Sequence, residues 1–293
     1  MAIQKGDNKS ASIVLRGSRI MSCATLMVYV DTDRMPEHRV RLAARWAGQF
    51  NAVLIGLSAM AIRPPVVTDG MVIAGTTAAE IEEIRTKLAD KGNWFRNIAG
   101  AVHRNVEWRS VVDLPTVALA REARIADLVV IGQHASSRDL YTSLDPGEAV
   151  LTVGRPTLVV PEGVSALRAD HIVIGWKDTR EARRAVRDAL PLFREATRIS
   201  IVQICAPGEE GAAQEHMNEV VRYLNRHRII GGPRIILHRD RSGAALLIRL
   251  AQEEGADLLV TGAYGHSRLS EWIFGGVTRE LLATSPICCL MSH

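Results

Sequence analysis

The residues best suited to chemistry lie between Gly262 and Thr278, which read GAYGHSRLSEWIFGGVT. They follow a buried-looking strand, Asp257 to Thr261, and run into a short helical segment, Arg279 to Ala283. A strand, a Gly-rich turn and a helix start leave unpaired amide N–H groups and the positive end of a helix facing the turn, and glycine lets an oxyanion approach the backbone. The chemistry on offer is anion binding. The spacing Gly262-x2-Gly265-x9-Gly275 is neither a GxxxxGK[ST] phosphate loop nor a GxGxxG dinucleotide turn. The same glycines also suit a turn that only closes a βα unit.

Other chemistry is thin. There is no nucleophile elbow, no HExxH, and neither the KMSKS nor the SGGxDS signature of nucleotide-handling α/β enzymes. Ser, His and Asp residues occur, but nothing in their spacing binds them together. No paired carboxylates in the loop would hold Mg²⁺ and no base stands out to orient water, so slow nucleotide hydrolysis is the nearest enzyme reading and no catalytic residue is assigned. Four cysteines (Cys23, Cys205, Cys288, Cys289) form no disulfide framework. Cys288 and Cys289 are adjacent in an expected strand and should face opposite ways; they read as free thiols of a reducing cytoplasm. No CxxC or HxxxH is present, and Cys289 with His293 falls short of a tetrahedral zinc set, so no metal is expected.

The elements that must position the loop come in two sets. Ala126-Asp-Leu-Val-Val-Ile-Gly132 and Ala256-Asp-Leu-Leu-Val-Thr-Gly262 align at an offset of 130. The same offset, taken without a gap, brings Ser137-Arg138 onto Ser267-Arg268, Leu151 onto Leu281 and Pro156 onto Pro286. Two copies of one domain are expected at 21–163 and 168–293, after a polar tail at 1–20 that lacks the apolar core of a signal peptide. In the first copy, strands are expected at Thr25 to Val30, Ala52 to Leu57, Val106 to Val112, Asp127 to Ile131 and Thr157 to Val160. Helices are expected at Glu37 to Gln49, Ala78 to Ala99 (with Gly92 as a candidate break) and from Pro115 to Arg124; Pro64 to Thr76 reads as a loop. The second copy repeats the plan, with strands His171 to Trp176, Arg198 to Ile204, Arg234 to His238, Asp257 to Thr261 and Ile287 to Met291. Its helices are Arg180 to Phe193, Ala212 to His227, Ala244 to Glu254 and a short one after Gly276. Alternating strands and helices imply an α/β fold, two open five-stranded parallel sheets with helices on both faces. Ligands meet such sheets at the carboxyl ends of the strands.

A chain of 293 residues has room for two domains, and 47% hydrophobic with 23% charged residues is ordinary for a soluble protein. The net charge of +4 is spread over helices, which argues against nucleic acid as a partner. No apolar run reaches the ~18 residues of a membrane span.

The glycine spacing, the strand before it and the Ser285-Pro286 plus apolar strand after it resemble the universal stress protein family, whose nucleotide loop is glycine-x2-glycine-x9-glycine followed by serine or threonine. Gly276 stands where that family has the hydroxyl residue; Val277 and Thr278 match the next positions. The resemblance covers nearly the whole chain in tandem form. It implies the fold of adenine nucleotide hydrolase-like domains, paired across their last strands as an internal pseudo-dimer, with homodimers of pseudo-dimers a further option. It implies a cytoplasmic stress-response regulatory protein, ATP as the candidate ligand rather than a required cofactor, and a non-binding interaction scaffold as the rival from the same family.

The site it implies comprises Gly262, Gly265, His266, Gly275, Gly276, Val277, Thr278, Trp176, Lys177 and Asp178. The family aspartate that ends strand one matches Asp31 in the first half but Lys177 in the second; a lysine donates and cannot accept, though it can reach a phosphate as a point charge. Asp178 or Thr179 suits a helix cap. Trp176 can either stack on a base or fill the pocket; Trp272 is expected under the loop. His266 can donate to an anion or lie in a surface loop, and Arg279 can meet phosphate or solvent. The first-half loop has Ala135 and Asp145 in place of two glycines, Pro146 without an N–H, and Glu148, so no triphosphate is expected there. Asp145 and Glu148 read as helix-start partners, with a bound cation as the alternative.

Overall fold

The first strand, β1 (Thr25–Tyr29), has the sequence TLMVY and carries apolar side chains to both faces of a sheet. The computed structural model describes residues 23–68, 71–74, 77–133, 139–237, 243–265 and 276–293. In the first half, β1 is followed by α1 (Glu37–Phe50), β2 (Val53–Ala59), the short pair β3 (Val66–Thr68) and β4 (Met71–Ala74), α2 (Ala78–Gly100), β5 (Val106–Val111), α3 (Pro115–Glu122), a 3₁₀ turn at Ala123–Ile125, β6 (Leu128–Gly132), α4 (Pro146–Thr152) and β7 (Thr157–Val160). The second half runs β8 (His171–Trp176), α5 (Arg180–Glu195), β9 (Arg198–Cys205), α6 (Glu210–Arg226), β10 (Gly232–Leu237), α7 (Gly243–Glu253), β11 (Leu258–Gly262), α8 (Gly276–Thr284) and β12 (Cys288–Ser292).

Ten strands form one sheet in the order β10-β9-β8-β11-β12-β7-β6-β1-β2-β5. Each half contributes five parallel strands in the order third, second, first, fourth, fifth. The halves fuse where β12 meets β7 antiparallel, through the pairs Cys289↔Val159, Leu290↔Leu158 and Met291↔Thr157. The expected pairing across the last strands is present, and it makes one continuous sheet of the two.

Strand side chains alternate between two apolar layers. Leu26, Val28, Val130, Ile172, Ile174 and Leu290 pack with α1, α2, α5 and α6. Met27, Tyr29, Val129, Val173, Leu259 and Met291 pack with α3, α4, α7 and α8.

The Ala-Asp repeat that marks the two halves has a structural cause. Asp127 Oδ2 accepts the N–H groups of Ala24 and Thr25 at 2.7 and 3.0 Å, and Asp257 accepts those of Asp170 and His171 at 3.2 Å each. In each half the carboxylate at the start of the fourth strand pins the start of the first.

Three expectations are corrected. Pro64 to Thr76 is not a plain loop: β3 and β4 pair antiparallel within it, and the sequence has Asp69-Gly70, a hairpin dipeptide, between apolar runs. Gly92 does not break α2. A Cβ there would lie 2.6 Å from the Trp108 ring, so the glycine admits β5 against the helix. The gapless offset of 130 fails after the loop. Val129 pairs with Thr157 but Leu259 pairs with Cys289, so the last strands match at 132; α8 has 9 residues where α4 has 7. Pro156 and Pro286 are therefore not equivalent.

The connection between the halves is tied down. Trp46 Nε1 donates to Leu167 O at 2.8 Å, and Arg45 donates to Ser165 O at 3.1 Å. Gln133 Nε2 crosses to Ser285 O at 2.7 Å, and Arg184 bridges His293 O and Gly154 O at 2.8 and 2.9 Å.

Candidate functional site

β8 and β11 lie side by side, with Val260 opposite Ile174 and Thr261 opposite Gly175. The chain leaving β8 (Lys177, Asp178, Thr179) thereby meets the chain leaving β11 (Ala263, Tyr264, Gly265) at the carboxyl edge of the sheet. The first turn of α5 crosses directly over this junction. A Cβ on Gly262 would lie 2.4 Å from Ala182 N and 2.6 Å from the Glu181 carbonyl carbon. A Cβ on Gly265 would lie 3.0 Å from Thr179 Oγ1 and 3.2 Å from Glu181 Oε2. Gly262 is required by the close approach of the α5 backbone, whatever ligand comes, whereas Gly265 is tight only against side chains.

The remaining expected residues separate by role. Thr179, not Asp178, caps α5, its Oγ1 accepting Ala182 N–H at 3.2 Å. Asp178 accepts Arg183 at 2.7 and 2.9 Å. Lys177 is exposed at the strand end. Trp176 is 7% exposed and packs in the layer of α5 and α6, so its ring offers no face to a base; a large aromatic at a strand end has gone to the core.

Gly276, Val277 and Thr278 form the first turn of α8. Among the described residues nothing lies within 4 Å of a Cβ on Gly276, and Val277 is 40% exposed. Thr278 is buried, and its Oγ1 accepts the N–H of Tyr264 at 3.1 Å. This hydroxyl closes the loop by joining its two ends. Tyr264 is left-handed, at φ 55°. His266, Gly275, Ser267, Arg268 and Trp272 lie outside the described residues, as do Ala135, Ser137 and Arg138 of the first half.

Glu181 is the residue the sequence reading missed. It is buried at 6% exposure, beside Gly265, and Arg180 donates to it at 2.9 Å. Burial raises its pKa, but a backbone N–H, Arg180 and His293 outweigh that and hold the carboxyl below its ordinary value. An anionic side chain thus faces part of the same loop that could receive an anion.

The first half fills the matching place differently. A Cβ on Gly132 would meet Arg39 Nη1 at 2.6 Å, and Arg39 pairs with Asp31, both buried. The aspartate that the family comparison would give to a nucleoside already has an internal partner. Asp145 caps α4, accepting Glu148 N–H at 2.7 Å, which is the helix-start role expected of it.

Arg279 is exposed on the first turn of α8. It lines a cavity of about 450 Å³ between the halves, with Gln133, Asp145, Glu148 and Tyr264. Burial and then Asp145 raise the Tyr264 pKa.

At the opposite end of the strands, Ser200, His171 and Glu254 come together. His171 Nε2 is 3.3 Å from Ser200 Oγ, and Ser200 donates to Glu254 Oε2 at 2.6 Å. The hydroxyl is bound to the carboxylate and buried, and Arg234 and Arg198 also hold that carboxylate, at 2.9 and 3.4 Å. This network pins β8, β9, β10 and α7; it is not an activated nucleophile. Among the described residues no cluster of three or more His, Cys, Asp or Glu is arranged for a metal. Cys289 lies against Ser285 Oγ at 3.4 Å and His293 Nδ1 against Ala263 O at 3.0 Å. No described helix is long and apolar enough to cross a membrane.

The family model of the universal stress proteins matches residues 169–293. No curated protein sequence matches the chain. Among solved structures, a universal stress protein from Archaeoglobus fulgidus DSM 4304 superposes with a TM-score of 0.68 at 13% identity, over 92% of this chain and 95% of its own. A putative universal stress protein from Pseudomonas aeruginosa UCBPP-PA14 gives 0.58 at 13% identity, over 92% and 93%. At such identities the likeness is one of fold, and it extends through both halves. Residues 169–293 therefore belong to the universal stress protein family, and the first half of the chain shares the fold.

Proposed function

We propose that this chain is a stress-response regulatory protein whose second domain, 168–293, binds an adenine nucleotide at the carboxyl edge of β8 and β11. The observation that carries the reading is the first turn of α8. That turn starts at Gly276, where a Cβ would meet nothing within 4 Å among the described residues, and a helix start of this kind favours phosphate oxygens. Lys177 supplies a positive charge at the adjoining strand end. The first domain, 21–163, acts as a structural partner, since Asp145 already occupies the N-cap of its α4. Binding would favour one conformation or assembly of the protein over another.

A second reading has its own support. Glu181 beside Gly265, and a lysine where the family has an aspartate, both oppose a nucleotide and favour an interaction scaffold without ligand. Calorimetric titration of the full chain with Mg-ATP separates the two. Saturable binding that Gly276→Asp weakens about tenfold or more supports the nucleotide reading. No heat with wild type, together with binding gained in Glu181→Gln, means that the carboxylate closes the site and the scaffold reading holds.

A further inference from the structure

A second pocket of the later half lies at the other end of the strands from the glycine loop, where α5 and α6 end and β9 begins. Its volume is about 510 Å³, within the ~300–1,000 Å³ of small-molecule sites. Phe193, Ile199 and Ile229 form its floor, each at most 6% exposed. Ile230 stands at the rim with 88% exposure, the highest among the described large apolar residues. The charged walls are Arg194, Arg198 and Arg228.

Two of these cations are available. Arg198 lies 3.4 Å from Glu254. Arg194 and Arg228 are exposed and have no ion pair or side-chain hydrogen bond among the described residues. The nearby carboxylates are engaged elsewhere: Asp170 is 3.7 Å from Arg168, and Glu254 also holds Arg234 at 2.9 Å.

The backbone of Arg228 adds an independent observation. At the end of α6, Arg228 N–H bonds Asn225 O at 2.9 Å and Ile229 N–H bonds Leu224 O at 3.0 Å, with Arg228 left-handed at φ 61°. Helices α1 and α7 end in the same turn, but on Asn51 and Gly255, residue types that take this conformation with less strain. Attraction to a helix C-terminus accounts for a cation nearby. It does not account for an arginine at the one position where glycine would be relaxed. At the matching corner of the first half, His103 Nε2 lies 2.8 Å from Ala52 O and bridges the end of α2 to the start of β2. In the second half the corner stays open as the pocket.

Exposed arginines select an anion, and the isoleucines select an apolar chain beside it. A bare phosphate would leave Ile230 in water, and a neutral hydrocarbon would leave the arginines without an acceptor. We propose that this pocket binds a medium-chain acyl carboxylate, its head group on Arg194 and Arg228 and its chain along Ile230 over Phe193 and Ile199. Recognition here is independent of the loop from Gly262 to Thr278.

The test is calorimetric titration of the full chain with decanoate below its micelle-forming concentration. Acetate, decanol and decyltrimethylammonium serve as head-only, chain-only and opposite-charge controls. Decanoate should bind with a Kd below about 1 mM, and each control at least about tenfold more weakly. Arg194→Gln should weaken decanoate about tenfold without lowering the melting temperature. Arg228→Gly should weaken it as much while raising the melting temperature, because it relieves the left-handed residue. Gly276→Asp should leave it unchanged. Absence of saturable binding, equal binding of any control, unaltered affinity in either arginine variant, or a fall in melting temperature for Arg228→Gly would overturn the proposal. So would co-flotation with phosphatidylglycerol vesicles in the absence of decanoate binding, which would assign the patch to a membrane surface.

Discussion

The carboxyl edges of the two halves start from the same strand order and end in opposite solutions. In the first half a side chain, Arg39, lies over the glycine that ends the fourth strand, and a buried aspartate holds it there. In the second half the backbone of α5 lies over the equivalent glycine. The first half then caps its following helix with its own Asp145, whereas the second begins α8 at Gly276, where a Cβ would meet nothing within 4 Å among the described residues. A duplicated fold can thus keep its sheet while one copy closes its edge with charged side chains. The other copy covers the matching glycine with the backbone of a helix. The closure in the first half leaves Arg39 Nε buried without a hydrogen-bond partner among the described residues.

The largest effect should come from breaking the first-half closure. Asp31→Ala leaves Arg39 buried without its counter-charge and should lower the unfolding free energy by about 3–5 kcal/mol in urea titrations. An Asp31→Leu, Arg39→Met double variant should recover most of it. If Asp31→Ala is neutral, the pair does not seal the first half.

Next is the glycine contrast. Gly262→Ala drives a Cβ against backbone atoms of α5 and should cost roughly 1–3 kcal/mol, because a helix backbone cannot step aside. Gly132→Ala meets the end of a side chain and should cost less in the same denaturation experiment. Equal losses would erase the distinction between side-chain and backbone cover. Asp145→Ala should cost about 1 kcal/mol through the lost N-cap, and Asp145→Asn should retain most of the stability.

The smallest effect is on pH. Glu254 belongs to the second half alone, and its folded-state pKa lies below the ordinary 4.5: burial raises it, and Ser200, Arg198, Arg234 and His171 outweigh that. A lowered folded value means that the unfolded chain binds more protons, so this contribution is present above 4.5 and is lost as pH falls through the folded value. Thermal melts between neutral and acid pH should show Glu254→Gln with a flatter acid limb than wild type. An identical limb would remove Glu254 from the acid response.

The fold was legible because it rests on patterns that repeat along the chain. Apolar runs such as Thr25 to Val30, helical spacing in Glu37 to Gln49, and the Ala-Asp repeat each carry their own period. Their structural elements fall within a residue or two of those limits. The hairpin at β3 and β4 was missed although Asp69-Gly70 signals it. The two-residue lengthening of α8 was hidden because Pro286 offered a false match to Pro156 of the first half. The site was less legible. Glycine spacing indicates where a backbone comes close to something, but not what it comes close to. At Trp176 the residue type alone could not separate a ring facing a ligand from one facing the core, and the ring went to the core.

By itself the sequence determined two α/β halves, their strand and helix order, and a Gly-rich turn after the fourth strand of the second, because these depend on periodicity and local turn chemistry. Tertiary structure alone decided that α5 covers Gly262, that Glu181 faces Gly265, and that Arg39 reaches Asp31 across the edge of the first half. Those contacts join residues of different elements, and their distances arise only when the helices pack onto the sheet.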